Sequence, residues 1–156
     1  MKRSIRGRLA LLGFAVGILV LPRQGAAALG GSAASVASDR AALAAVHRAT
    51  TTRSAYTVQE FQSDSSTVRE YVSASGVVFA VVWNGRAHPD LATLLGAYSG
   101  EYEAAAQQTA RKRGLRRQQV QSEGVVVEKW GHMRNLQGRA YAPALLPTGV
   151  TIDEIK

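Results

Sequence analysis

The segment Arg69–Gly85, REYVSASGVVFAVVWNG, decides the fold of this chain. Within it, Ser73–Gly76 has the small and polar residues of a turn, and Val77–Trp83 is the most apolar extended run in the sequence. Because side chains alternate along a strand, one face of this run would carry Val77, Phe79, Val81 and Trp83. The other face would carry Val78, Ala80 and Val82. Both faces are apolar, so we predict a central strand with a helix on one side and further structure or a partner on the other.

Two extended segments precede this strand, and the three together predict an antiparallel meander. Thr67–Ser73 is half polar, with Glu70 between two valines on one face, which suits a less central strand. Ser54–Gln62 follows a two-residue period of apolar side chains. Short turns separate the segments, and short connections join antiparallel neighbours. The predicted strands are therefore Ser54–Gln62, Thr67–Ser73 and Val77–Asn84.

Helices are predicted on both sides of the meander along the chain. The first runs from Ser35 to about Arg48, with Asp39 placed to favour the positive N-terminal end of the helix. The second begins at Pro89 and has the clearest amphipathic spacing in the sequence. The third covers Glu101–Arg113, with acidic residues in its first turn and basic residues in its last.

After a polar loop at Leu115–Gly124, Val125–Trp130 and Leu136–Ala142 predict a second hairpin. The sequence therefore predicts one α+β domain over residues 35–156. In this fold, N-terminal and mid-chain helices pack on an antiparallel sheet built from the meander and the C-terminal hairpin. Whether the hairpin joins the first sheet is left open.

Residues 1–28 have the three-part pattern of a secretory signal peptide. Four basic residues precede an uncharged run at Leu9–Leu21, and small residues follow at Gly25–Ala28. This run is shorter than the roughly 20 apolar residues of a membrane-spanning helix. We predict cleavage after Ala28, with an uncleaved signal anchor as the alternative, and a flexible lead-in at 29–34. The processed protein is then expected in the periplasm or outside the cell, without a stable membrane span.

Removing the predicted signal peptide changes the charge of the chain. The full sequence has 19 Lys and Arg residues, 11 Asp and Glu residues and a net charge of +8. Five of the basic residues and none of the acidic ones precede Leu29, so the processed chain has a net charge of +3. The sequence contains no cysteine, which excludes disulfides, a cysteine-linked lipid anchor and a thiolate metal site.

Five segments follow one another along the processed chain: AYTVQEF, TVREYVSASGVVFAVVWNG, HPDLATLLGAY, GHMRNLQGRAYAP and LPTGVTIDEIK. In this order they resemble an uncharacterised bacterial exported family, domain of unknown function 2844. The resemblance covers nearly all of the processed chain and implies an exported bacterial protein. It implies no catalytic or binding residue.

Aromatic and basic residues provide two candidate binding surfaces. Aromatic side chains suit a groove between sheet and helix, or simply the core, and the sequence leaves both open. This set contains Tyr71, Trp83, Tyr98, Tyr102, Trp130 and Tyr141. The densest basic run suits an anionic surface, or a solvated helix end. It contains Arg111, Lys112, Arg113, Arg116 and Arg117.

Candidate catalytic groups are sparse. Glu60 and Glu70 lie on strands that could pair, as the two carboxylates of a glycosidase do, and His88 lies close to Asp90. Each has a simpler explanation, as a solvent-facing acid or as the cap of a helix. The three histidines have no metal-binding spacing. We therefore assign no catalytic residue, metal ligand or cofactor.

Three functions remain open at this point. The first is a non-enzymatic binding or accessory module of the cell envelope, with another envelope protein as a partner. The second is an envelope hydrolase that uses the carboxylates or the His88–Asp90 pair. The third is an anionic-surface binder that uses Arg111–Arg117. No nucleic-acid partner is expected, because no aromatic residue interrupts the basic run for base stacking.

Overall fold

The computed structural model describes residues 29–109 and 116–156. The predictions of a signal peptide at 1–28 and of a helix end at Arg111–Arg113 lie outside the described residues. Among the described residues, no helix has both the length and the apolarity that crossing a membrane requires.

Seven strands form one antiparallel sheet in the order β1-β2-β3-β4-β7-β6-β5. The strands are β1 Val46–Thr52, β2 Tyr56–Gln62, β3 Ser66–Ser73, β4 Val78–Gly85, β5 Gln118–Gln121, β6 Val126–His132 and β7 Asn135–Tyr141. Strand β4 has three strands on each side, so the predicted central strand is confirmed. The second hairpin joins the same sheet, because β7 pairs with β4 from Ala80 opposite Tyr141 to Gly85 opposite Leu136.

Three α-helices accompany the sheet in the described part of the chain: α1 Val36–Ala42, α2 Leu91–Leu95 and α3 Ser99–Gln108. Helix α1 is shorter than predicted, because Ala44 adopts a positive φ of 47° and the chain then enters β1. The helix prediction to Arg48 was therefore wrong at its end. The β-branched residues Thr50–Thr52 pair with β2 instead of following a helix.

The alternation of side chains in β4 differs from the prediction for two residues: Val78 lies on the face of Val81 and Trp83, and Phe79 lies on the face of Ala80 and Val82. Tyr71 lies opposite Ala80 and Val72 lies opposite Val78, which leaves Phe79 as the extra residue of a β-bulge. Phe79 therefore packs on the same face as Ala80. A strictly alternating strand would have placed these neighbours on opposite faces.

Each face of the sheet has its own core, which explains why β4 is apolar on both. The helix face is the side on which Leu29 and the three helices pack. Its buried members include Val36, Phe61, Val68, Val72, Val78, Val81, Trp83, Leu94, Leu95, Val125 and Val127. The tail face is the opposite side, covered by the C-terminal segment Pro143–Lys156. Its buried members are Tyr56, Tyr71, Phe79, Ala80, Val82, Val126, Tyr141 and Ile155.

Two segments outside the predicted elements also contact the sheet. Strand β5 lies within the predicted loop Leu115–Gly124, and its only apolar side chain, Val120, is 1% exposed. The loop prediction was wrong here, because antiparallel pairing with β6 orders an otherwise polar segment. Residues 29–34, for which we predicted a flexible lead-in, make four main-chain hydrogen bonds, to Gly76, Val78 and Leu94.

Candidate functional site

A row of charged side chains crosses the tail face of the sheet on both sides of the central strand. The strand register aligns Glu60, Arg69, Val82, Arg139 and Glu128 on five neighbouring strands. Arg69 Nε donates to Glu60 Oε2 at 2.6 Å, and Arg139 Nε donates to Glu128 Oε2 at 2.6 Å. The two ion pairs flank Val82 on the central strand. We refer to these five residues as the charged row.

Glu128 is the buried ionisable member of the charged row, with an exposed fraction of 4%. Arg117, which immediately precedes β5, donates a second hydrogen bond to Glu128 Oε1 at 2.9 Å. Burial alone would raise the pKa of Glu128, but the hydrogen bonds from Arg139 and Arg117 outweigh it and hold the pKa below its usual value. Glu128 is therefore a fixed negative charge between two guanidinium groups.

The two arginines of the charged row also hold the C-terminal segment. Arg139 Nη1 donates to the main-chain oxygen of Ile152 at 2.8 Å. Arg69 Nη1 donates to the main-chain oxygen of Lys156 at 3.2 Å, and the hydroxyl of Tyr71 donates to the same oxygen at 2.7 Å. Because main-chain oxygens of the segment accept these bonds, the arginines present their donors above the plane of the sheet.

A cavity of about 660 Å³ lies over this part of the tail face, and we call it the basic groove. It is lined by Arg69, Val82, Trp83, Asn84, Arg117, Glu128, Trp130, Gln137, Arg139, Ile155 and Lys156. Four of these side chains are basic and one is acidic. The groove therefore combines a net positive charge with the amide groups of an asparagine and a glutamine.

Trp130 forms one wall of the basic groove and is held by its indole nitrogen. Trp130 Nε1 donates to Gln137 Oε1 at 3.1 Å, and Gln137 Nε2 donates to Asn135 Oδ1 at 3.1 Å. The indole is partly exposed. A partly exposed aromatic ring with a fixed edge can pack against a flat or ring-shaped ligand at a small cost in side-chain entropy.

The predicted aromatic set does not form a single groove in the structure. Tyr71 and Tyr141 are buried in the tail-face core, with exposed fractions of 4% and 7%. Tyr98 packs against the opposite core. Trp83 and Trp130 both border the basic groove, but Trp83 is 1% exposed and belongs to the helix-face core.

The predicted basic run is only partly described. Arg111, Lys112 and Arg113 lie outside the described residues, whereas Arg116 and Arg117 lie within them, and both are exposed. Arg117 reaches Glu128 and lines the basic groove, and Arg116 is not among the residues that line it. The two neighbours therefore have different surroundings.

The candidate catalytic pairs have separate partners in the structure. Glu60 lies opposite Arg69 and Glu70 lies opposite Gln59, so these two carboxyl groups point to opposite faces of the sheet. Asp90 is the N-cap of α2: Ala92 N donates to Asp90 Oδ1 at 3.1 Å.

The histidines are also apart. His88 Nδ1 accepts a hydrogen bond from Trp83 Nε1 at 2.8 Å, and burial, followed by the charge of Lys129, lowers the pKa of His88. His47 and His132 are exposed on β1 and β6. Within residues 29–109 and 116–156, no group of three or more potential metal-ligating side chains comes together.

Sequence reasoning missed most of the charged row. The pairing of Glu128 with Arg139 depends on the position of the turn at Met133–Arg134, because the register is counted outward from it. The sequence predicted a turn over Gly131–Asn135, and counting cross-strand partners from its centre, Met133, would have paired Glu128 with Gly138 and missed this ion pair. The position of Arg117 depends on β5, which the polar sequence did not reveal.

Comparison with known proteins gives one match. A family model described as "Protein of unknown function (DUF2844)" matches residues 25–155. No curated protein and no solved structure matches the chain significantly.

Proposed function

The chain belongs to the DUF2844 family, and we propose that it is an exported, non-enzymatic binding module of the cell envelope whose ligand site is the basic groove. The observation that carries this proposal is the grouping of Arg69, Arg117 and Arg139 beside the partly exposed indole of Trp130. The volume of the basic groove, about 660 Å³, falls within the range of small-molecule sites.

The charges of the groove favour an anionic ligand. Glu128, together with Glu60 on Arg69, neutralises only part of the positive charge that the three lining arginines and Lys156 provide. Guanidinium groups form strong, directional hydrogen bonds with carboxylates and phosphates. The ligand class is therefore a carboxylate or phosphate attached to a ring that packs against Trp130.

The lining residues support binding rather than catalysis. In the described part of the chain, the groove is lined by no histidine, serine, threonine or cysteine. Glu128, its one carboxylate, has a lowered pKa and accepts hydrogen bonds from two arginines. A general acid or base needs a pKa near the working pH, whereas the arginines shift the pKa of Glu128 further below that pH.

The envelope location rests on the sequence of residues 1–28, which has basic, apolar and small-residue regions in the order of a signal peptide. An exported binding module would meet envelope polymers that carry carboxylate and phosphate groups. In this setting the ligand is an acidic saccharide or a phosphorylated envelope component, and the two have the same anionic chemistry.

The binding test uses trigalacturonate as a carboxylate probe, pyrophosphate as a phosphate probe and maltotriose as a neutral saccharide. Isothermal titration of the purified chain is expected to show saturable binding of at least one anionic probe and none of maltotriose. The affinity is expected to fall as salt is raised from about 50 to about 300 mM, because screening weakens exposed charge pairs.

Two adjacent arginines provide a matched pair of variants. Arg117→Gln removes one charge from the groove and is expected to weaken binding of the anionic probe by about tenfold. Arg116→Gln removes one exposed charge outside the groove and is expected to leave binding within about twofold. Equal losses in the two variants, or no saturable binding of either anionic probe, would contradict the proposed site.

A further inference from the structure

Asp39 and Glu70 form a pair of carboxyl groups buried between α1 and the helix face of the sheet. Both residues are 0% exposed. On the sheet, Glu70 lies between Gln59 of β2 and Val81 of β4, and α1 contributes Asp39 together with the buried Val36. Among the described residues, none of the four carboxyl oxygens of the pair receives a hydrogen bond from another group.

A shared proton explains how this pair is accommodated. Two carboxylates cannot bond to one another, and two adjacent negative charges in an apolar site are strongly unfavourable. If one carboxyl keeps its proton, it can donate a hydrogen bond to the other, which lowers the pKa of Asp39 and raises the pKa of Glu70. Burial raises the pKa of Asp39 to about 7, and burial together with the charge of Asp39 raises the pKa of Glu70 to about 9.

Other charged groups do not balance the pair. Strand β4 and helix α2 contain no charged residue. On β2 and β3, Glu60 and Arg69 lie on the tail face and bond to each other. Arg40 is the other charged residue of α1, and neither it nor Asp90 makes a hydrogen bond to the pair. The proton state of the pair is therefore set by burial and by the two carboxyl groups themselves.

Helix α1 depends on packing against the sheet, because a helix of seven residues is unstable by itself. Its two buried residues are Val36 and Asp39, so Asp39 is one of the two buried side chains that α1 places against the sheet. We propose that the Asp39–Glu70 pair is a proton-operated clamp, which holds α1 on the sheet while the pair carries a proton and releases α1 when both carboxyl groups are ionised. This inference is independent of the basic groove, which lies on the other face.

The direction of the pH effect follows from proton counting. Both folded pKa values lie above the ordinary values of 3.8 and 4.5, so between those pH values and about 9 the folded chain binds more protons than the unfolded chain. The stabilisation is complete below the ordinary values and is lost as the pH rises through about 7 and then about 9. The unfolding constant rises by up to about tenfold per pH unit for each additional proton held.

Hydrogen exchange of the α1 amides, Val36–Leu43, tests the clamp in the full chain. After correction for the intrinsic rate, their protection is expected to fall by at least about tenfold as the pH is raised from about 7 to about 9. Glu70→Gln places a permanent amide donor beside Asp39, so the protection of α1 in this variant is expected to be nearly independent of pH. The control Glu60→Gln changes a glutamate on the opposite face and is expected to keep the pH dependence of the unmodified chain.

Carboxyl ¹³C NMR of the unmodified chain provides a readout that needs no variant. At least one Asp or Glu side chain is expected to titrate above about pH 6, and its signal should be assigned to Asp39 or Glu70. If both carboxyl groups titrate near their ordinary values, or if the protection of α1 stays constant to about pH 9, the clamp does not exist.

Discussion

Replacing Arg139 by methionine tests the buried ion pair of the tail face. The substitution keeps an aliphatic stem and removes the guanidinium group, which donates to Glu128 Oε2 at 2.6 Å and to Ile152 O at 2.8 Å. Removing one partner of a buried ion pair costs about 3–5 kcal/mol. Glu128 would keep the hydrogen bond from Arg117, so we expect the lower end, a loss of about 3 kcal/mol in the free energy of unfolding.

Urea unfolding measures this loss directly. With an m-value of about 2 kcal/mol/M for a chain of this size, the midpoint is expected to fall by about 1.5 M. Arg117→Met is the matched control, because the Arg117 side chain is 63% exposed and the Arg139 side chain is 16% exposed. An exposed pair contributes less than about 1 kcal/mol, so this control should shift the midpoint by less than about 0.5 M.

The pH dependence gives the Arg139→Met prediction a second readout. The lowered pKa of Glu128 means that its contribution to stability is present above its ordinary pKa of 4.5 and is lost as the pH falls through the folded value. The loss of unfolding free energy in Arg139→Met, relative to the unmodified chain, is therefore expected to be largest near neutral pH and to become smaller in acid. Equal deficits for Arg139→Met and Arg117→Met, or a deficit that does not change with pH, would refute the assignment of Glu128 as a buried, fixed charge.

Three other substitutions test the packing of the chain, and one sequencing experiment tests its processing. Gly138→Ala would place a Cβ against the indole of Trp83, so we expect the free energy of unfolding in urea to fall by about 3 kcal/mol. In the control Gly100→Ala the new Cβ meets open space in α3, so the free energy of unfolding should rise by about 0.5 kcal/mol. Asp90→Ala removes the N-cap of α2 and is expected to lower stability by about 1 kcal/mol, measured in the same assay. Protein recovered from the periplasm or the medium is expected to have Leu29 as its first residue when its N-terminus is sequenced, and an intact N-terminus would contradict the predicted cleavage.

The sequence predicted the centre of the fold because a single local signal was sufficient there. A run that is apolar on both faces needs cover on both sides, and Val77–Trp83 forms the central strand β4 with a core on each side. The bulge at Phe79 was not predictable, since it depends on the pairing of β3 with β4 and not on the residues of β4 alone. Tertiary pairing also decided the start of β1, because Val46–Arg48 were predicted to end a helix, and pairing with β2 makes them part of a strand.

The candidate sites were harder to predict because each depends on residues from distant strands. Glu70 illustrates this: the sequence correctly placed it between two valines on one face of β3, yet the carboxyl group that interacts with it belongs to Asp39, 31 positions earlier. Asp39 itself was interpreted as a charge that favours the start of a helix. An acid in α1 and an acid between two valines are each unremarkable in sequence, and only the packing of α1 on β3 makes them a pair.

The two faces of the sheet accommodate buried acids in opposite ways, and this limits the pH range over which the whole fold is stable. On the tail face, Glu128 is stabilised as a carboxylate by two arginines, so protonation weakens that face. On the helix face, Asp39 and Glu70 have only each other, so loss of the proton weakens that face. Lowering the pH therefore first destabilises the charged row, and raising the pH first destabilises the packing of α1 on the sheet. Because these sites share no residue and lie on different faces, their effects on the unfolding free energy should add, which places the stability maximum between the two titrations.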